Sequence, residues 1–126
     1  MKYTLLSLGV LALCLAFCLC SMAAVTTACT RTAERLAASL SAVREKKLSE
    51  AERALLQAEE SWERGKTFFG VVLRHEEMDE VLVSLAELRE YLLIGDLDDY
   101  RATCARLLTT LGHLREMELP GISNVL

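Results

Sequence analysis

The hydrophobic and polar positions fall into two regimes. From Leu5 to Val25 the chain reads LLSLGVLALCLAFCLCSMAAV, a run of 21 residues without a charge. After Arg31 charged residues are frequent, and apolar residues recur at helical spacing. Leu36, Leu40, Val43, Leu48, Ala51, Leu55, Ala58 and Trp62 follow one another at steps of three to five, which predicts one amphipathic helix over about 32–64. Thr30 or Thr32 would cap it. Met78, Val81, Leu82, Leu85, Leu88 and Leu92 predict a second helix over about 74–94, its first turns crowded with Glu76, Glu77, Asp79 and Glu80, acids that suit a helix N-terminus. Leu97, Tyr100, Cys104, Leu107, Leu108, Leu111 and Leu114 predict a third over about 97–117, stopped by Leu119-Pro120-Gly121.

These elements predict an all-α chain: an N-terminal transmembrane or signal-anchor helix, then an antiparallel three-helix bundle with a long first helix. Residues 1–28 form the anchor or signal segment and residues 29–126 the bundle. The chain rises along the first helix to a tip at Gly65-Lys66-Thr67-Phe68-Phe69-Gly70 and descends along the second. The lower first helix is then a stalk, open to pairing with a second copy. Lys46 with Glu50, and Glu60 with Arg64, are four apart and suited to ion pairs. Trp62, Phe68 and Phe69 gather at the tip, where they either close the core or offer an interaction surface.

A 21-residue helix is about 30 Å long, matching a bilayer's hydrocarbon core, whereas signal peptides carry shorter apolar regions of about 7–15 residues. Length favours a retained anchor through residues 5–25. Lys2, with small residues at Ser21-Met22-Ala23 and Thr26-Thr27-Ala28, fits a cleaved export signal and a secreted bundle. Lys2 before the run is balanced by Arg31 and Arg35 after it, so the positive-inside count does not select an orientation. The export-like N-terminus places the polar domain outside the cell.

Lys2 is the one basic residue before Arg31, leaving 13 basic against 18 acidic residues downstream, a net charge near −5. Such a domain has no diffuse attraction for nucleic acid. Cys14, Cys18 and Cys20 read as small apolar residues of the membrane run. Cys29 lacks the leucine that lipoprotein processing needs three residues earlier, where Thr26 stands. With Cys29 at the base of the first helix and Cys104 at mid-height, the two are some tens of ångströms apart by helical rise, too far for a disulfide.

Gly65-Lys66-Thr67 resembles the end of a phosphate-binding loop, but Glu60 stands where its first glycine belongs and a helix precedes it, so no nucleotide site is expected. His75-Glu76-Glu77-Met78-Asp79 resembles a zinc-protease helix with Asp79 in the second ligand position. His75, Asp79 and, from the third helix, His113 are thus candidate metal ligands. The acid-rich helix start has a sufficient reason in the helix dipole. No serine or cysteine is arranged as a nucleophile with its base; no cofactor is implied, and the chain reads as a non-enzyme.

Trp62 and Lys66, then His75-Glu76-Glu77-Met78-Asp79, then Ser84-Leu85, Leu88 and Glu90-Tyr91, then His113-Leu114-Arg115-Glu116, Leu119-Pro120 and Asn124 follow in the order of a known family. In these positions, with its apolar N-terminal segment and its length, the chain resembles the uncharacterised bacterial family called domain of unknown function 4363. The resemblance implies a short, membrane-anchored helical protein of a Gram-positive, often spore-forming, bacterium, and brings no activity with it. The expected function is a membrane-tethered module that binds or spaces another envelope protein, or self-associates through the stalk. The alternatives are a metal- or small-ligand-binding domain using His75, Asp79 and His113, and a secreted bundle.

Overall fold

The computed structural model describes residues 1–72 and 74–118, without the side chains of 67, 68, 70–72, 117 and 118. It is all helix: α1 (Lys2–Arg44), α2 (Leu48–Val72), α3 (His75–Ile94) and α4 (Leu97–Glu118). The expected stop at Leu119-Pro120-Gly121, Asn124 and the Phe68 side chain lie outside the described residues.

The first helix differs most from expectation. The predicted helix over 32–64 is two antiparallel helices, broken at Glu45-Lys46-Lys47. The Lys47 N–H donates to the Ala42 carbonyl at 2.8 Å and the Lys46 N–H to that of Val43 at 3.0 Å. Lys46 holds the left-handed conformation, φ 61°, that completes this helix stop. Its expected pair with Glu50 is not among the ion pairs of the described residues; Lys47 meets Glu45 instead, at 3.3 Å. Upstream, the apolar run and residues 29–44 form one unbroken helix of 43 residues. Neither Thr30 nor Thr32 caps anything. Thr32 is buried in mid-helix, and its hydroxyl has no partner among the described residues.

Three contacts set the register. Gly65 of α2 lies against Ala28 of α1. Ser39 of α1 donates its hydroxyl proton to the Ala51 carbonyl of α2, 2.8 Å. Cys104 of α4 donates to the Leu36 carbonyl of α1 at 3.5 Å, and Tyr100 of α4 meets Ser39. As α1 rises from 28 to 39, α2 falls from 65 to 51 and α4 runs back from 104 to 100. Both are antiparallel to α1. The α3–α4 connection is two residues long, Gly95 holding φ 78° at its start. The helices therefore run up, down, up and down, with α1 packed most extensively on α2, and α3 less on α2 than on α4.

Small residues bring α1 and α2 together. Ala51, Ala54 and Ala58 are buried opposite the stretch of α1 that carries Ser39 and Ala42. The core runs from Val25, Leu36, Leu40 and Val43 through Leu55 and Trp62 to Leu88, Leu107 and Leu111. Each fully buried leucine contributes about 1.5–3 kcal/mol by leaving water. The lower half of the expected stalk is thus covered by α2 and α4 and has no free face for pairing through Leu36, Leu40 and Val43.

Burial begins at Ser21; residues 1–20 of α1 are exposed throughout. By length and composition α1 can cross a membrane. Trp62 and Phe69 therefore sit at the end of the bundle nearest that segment, reversing the far-tip placement expected from sequence. The far end is the α1–α2 turn together with the α3–α4 turn.

Candidate functional site

His75, Asp79 and His113 all lie on exposed faces. Among the described residues, no group of three or more His, Cys, Asp or Glu is arranged to hold a metal. The acids at the start of α3 have a local use, since the Arg74 N–H donates to the Glu77 carboxylate at 3.2 Å. Glu76 is exposed beside them. The metal reading loses its geometry.

Trp62 is 1% exposed and packs on Phe69, also buried, with ring centroids 4.2 Å apart at 36°. The helix runs straight through Gly65, where α1 passes close to α2. A β-carbon there would stand 2.7 Å from the β-carbon of Ala28 and 2.5 Å from the Phe69 ring. Lys66 is exposed and lies 4.0 Å from Glu63.

Near the distal end a buried polar chain ties three helices together. Because the single Ser39 proton goes to Ala51, the Tyr100 hydroxyl is the donor to Ser39. Burial pushes the Tyr100 phenol up to about 12. Burial likewise pushes the Cys104 thiol up to about 11. Cys104 is level with Leu36, seven residues above Cys29 on α1, or about 10 Å by helical rise rather than tens. Its thiol is free of any disulfide. These groups hold the bundle together and have no reactive exposure.

The feature best placed to meet another molecule lies at the same end, between α2 and α3. Their loose packing leaves a groove of about 470 Å³. Leu55 and Leu92 lie along it; Leu48, Leu56 and Leu93 stand on its rim. Leu56 is 52% and Leu93 70% exposed, and Ile94 beside Leu93 also 70%. An ion pair between Arg89 and Glu59 closes the membrane-ward side. Sequence reasoning placed Leu48 on the buried stripe and passed over Leu56 and Leu93. A signal was available: in Leu55-Leu56 and Leu92-Leu93 a second large apolar residue stands about 100° off the one on the stripe, at the edge of the face that the core covers.

The family profile of a domain of unknown function, DUF4363, matches residues 19–125. That span takes in α1 from Leu19 onward and the whole of α2, α3 and α4, and it begins two residues before burial begins. The chain belongs to the DUF4363 family. A search of curated proteins found no match, and a search of solved structures found none. DUF4363 membership agrees with the architecture: all helical, an apolar N-terminal helix continuous with the bundle, and no molecular function attached. Among the described residues one helix, near the N-terminus, is long and apolar enough to span a membrane, which is consistent with a single-pass membrane protein.

Proposed function

We propose that this DUF4363 chain is a non-enzymatic, membrane-tethered adaptor of the cell envelope. Its bundle stands outside the cell and offers the groove between α2 and α3 to an amphipathic helix of another envelope protein. The observation that carries this reading is the row of exposed leucines at the end farthest from the apolar helix. Apolar side chains grouped in one groove have little reason to stay in water unless something covers them. Burying Leu48, Leu56 and Leu93 from their partial exposure yields roughly 3 kcal/mol gross. That is less than association costs for free partners. Confinement of both partners to one membrane raises their effective concentration and offsets much of the difference.

Retention of the anchor belongs to the same reading. An unbroken helix through both candidate cleavage sites supports it, because cleavage after Ala28 would remove Val25 and Ala28 from the core.

Photo-crosslinkers at Leu56 and at Leu93 in intact cells test the groove. A discrete adduct with one envelope protein is expected from both positions, and loss of the adduct from Leu93 when Leu56→Glu is added. A crosslinker at Ala38, exposed on α1, is the control. Adducts forming as well from Ala38 as from the groove would sink the docking reading.

A further inference from the structure

A second groove, of about 300 Å³, lies between α1 and α2 at the opposite end of the bundle. Its floor is small-residue surface: Ala24 and Ala28 of α1 and Gly65 of α2. Because Gly65 stands so close to Ala28, no side chain of α2 fills that floor. The polar lining is Thr27 and Arg31 from α1, with Ser61 and Arg64 from α2, and includes no carboxylate. Among the described residues neither guanidinium makes an ion pair or hydrogen bond; in particular the Glu60–Arg64 pair expected from sequence is not formed. Ser61 has its proton committed to the Gln57 carbonyl, 2.9 Å. The donors open to a ligand are therefore two guanidinium forks and the Thr27 hydroxyl.

In a domain of net charge near −5, two unpaired arginines converging on one carboxylate-free slot mark a place for an anion. Guanidinium forks match the oxygens of a phosphate or carboxylate. Height decides the source. The apolar run ends at Val25 and the bundle already begins at Ser21, so Arg31 stands six to ten residues beyond the hydrocarbon edge, about 9–15 Å by helical rise. Arg64, next to Gly65, is near the level of Ala28. The polar layer of a bilayer extends about 5–7 Å past the hydrocarbon on each side. Both side chains are long enough to reach down into that layer. Below Ala24 the helix continues at four-residue steps through Cys20, Ala16 and Ala12, all exposed in the membrane segment, small residues along which an acyl chain can lie.

We propose that this groove binds the phosphate of an anionic membrane phospholipid, with Arg31 and Arg64 as its recognition groups and Thr27 as a third donor. The proposal rests on α1 being a retained anchor, so entry into a bilayer and lipid selection are scored separately.

The full chain is reconstituted in nanodiscs of phosphatidylcholine with a minor share of phosphatidylglycerol, and the lipid it retains is weighed by native mass spectrometry. The expected result is phosphatidylglycerol enriched several-fold over its share in the disc. Enrichment should fall to the disc ratio in R31Q/R64Q and by at least half in each single variant. It should persist in R53Q/R101Q, which loses the same charge elsewhere on the bundle. Helical circular dichroism checks that every variant is folded. Enrichment unchanged in R31Q/R64Q, or lost equally in R53Q/R101Q, overturns the site. Inorganic phosphate retained without any lipid enrichment assigns the groove to a free anion and overturns the lipid. A chain that fails to enter the disc refutes the anchor; one that enters without enrichment refutes the site alone.

Discussion

The Tyr100 hydroxyl sits where water cannot reach it, and its one partner has already given its own proton to Ala51. Removing it in Tyr100→Phe leaves Ser39 an acceptor without a donor and costs about 1 kcal/mol. The same burial gives the bundle an alkaline limit. Tyr100 rises from 10.0 to about 12 and Cys104 from 9.0 to about 11, so the folded state holds both protons more tightly than the unfolded chain. That stability is fully present below the unfolded values and is lost as pH rises through the folded ones. It should be flat near neutrality, decline from about pH 9 as Cys104 begins to matter, decline fastest between about 10 and 11, where the two ranges overlap, and go on declining through Tyr100 alone to about 12. Each group contributes a slope of up to about 1.4 kcal/mol per pH unit. Denaturant unfolding of the full chain in detergent micelles checks this: Tyr100→Phe should remove the component above pH 10. A wild-type curve level to pH 12 would refute the buried phenol.

At the scale of elements, α3 and α4 were legible to within a residue, because their stripes keep helical phase from cap to cap. The split between α1 and α2 was not. Its turn contains no glycine or proline; a lysine takes the left-handed conformation that glycine usually takes. The trace it left was one step of five, Val43 to Leu48, amid steps of three and four. A five-residue step advances about 140° on a helix and leaves the stripe. Misreading that step carried the aromatics to the wrong end of the molecule and invented a free stalk. GKTFFG misled in the other direction: Gly65 admits α1 rather than breaking α2. Of the candidate sites, the His75 helix start was legible only as a helix start. The distal groove was half legible, in its doubled leucines. Arg31 and Arg64, 33 residues apart in sequence, meet only because the turn lies between them. Strain at Lys46 should be measurable. Lys46→Gly should stabilise the full chain by about 0.5–1 kcal/mol and Lys46→Val should destabilise it by about 1 kcal/mol, read as thermal unfolding in micelles. Equal melting of the two variants would mean that the turn does not depend on the left-handed residue.

For the whole molecule, anchor and bundle share a helix, so the boundary expected between residues 28 and 29 falls inside a continuous, packed element. Both candidate cleavage sites lie in helical turns with buried neighbours, so a cleaved chain would lack core residues. Mass spectrometry of the native protein should find the residues before Ala24 still attached. A mature N-terminus at Ala24 or Cys29 would overturn the anchor and return the chain to the secreted class. The unbroken α1 has a mechanical side as well. From Ser21 to Arg44 it is about 36 Å long, and nothing between bilayer and turn acts as a hinge. When hydrophobic mismatch tilts the membrane segment by about 10°, the distal turn sweeps sideways by about 6 Å. The angle of a rigid label on α1 to the bilayer normal, in oriented bilayers of different thickness, would register that sweep or its absence. The bundle is a pointer fixed to its axle: bilayer thickness sets its lean, and with it where the leucine groove is held.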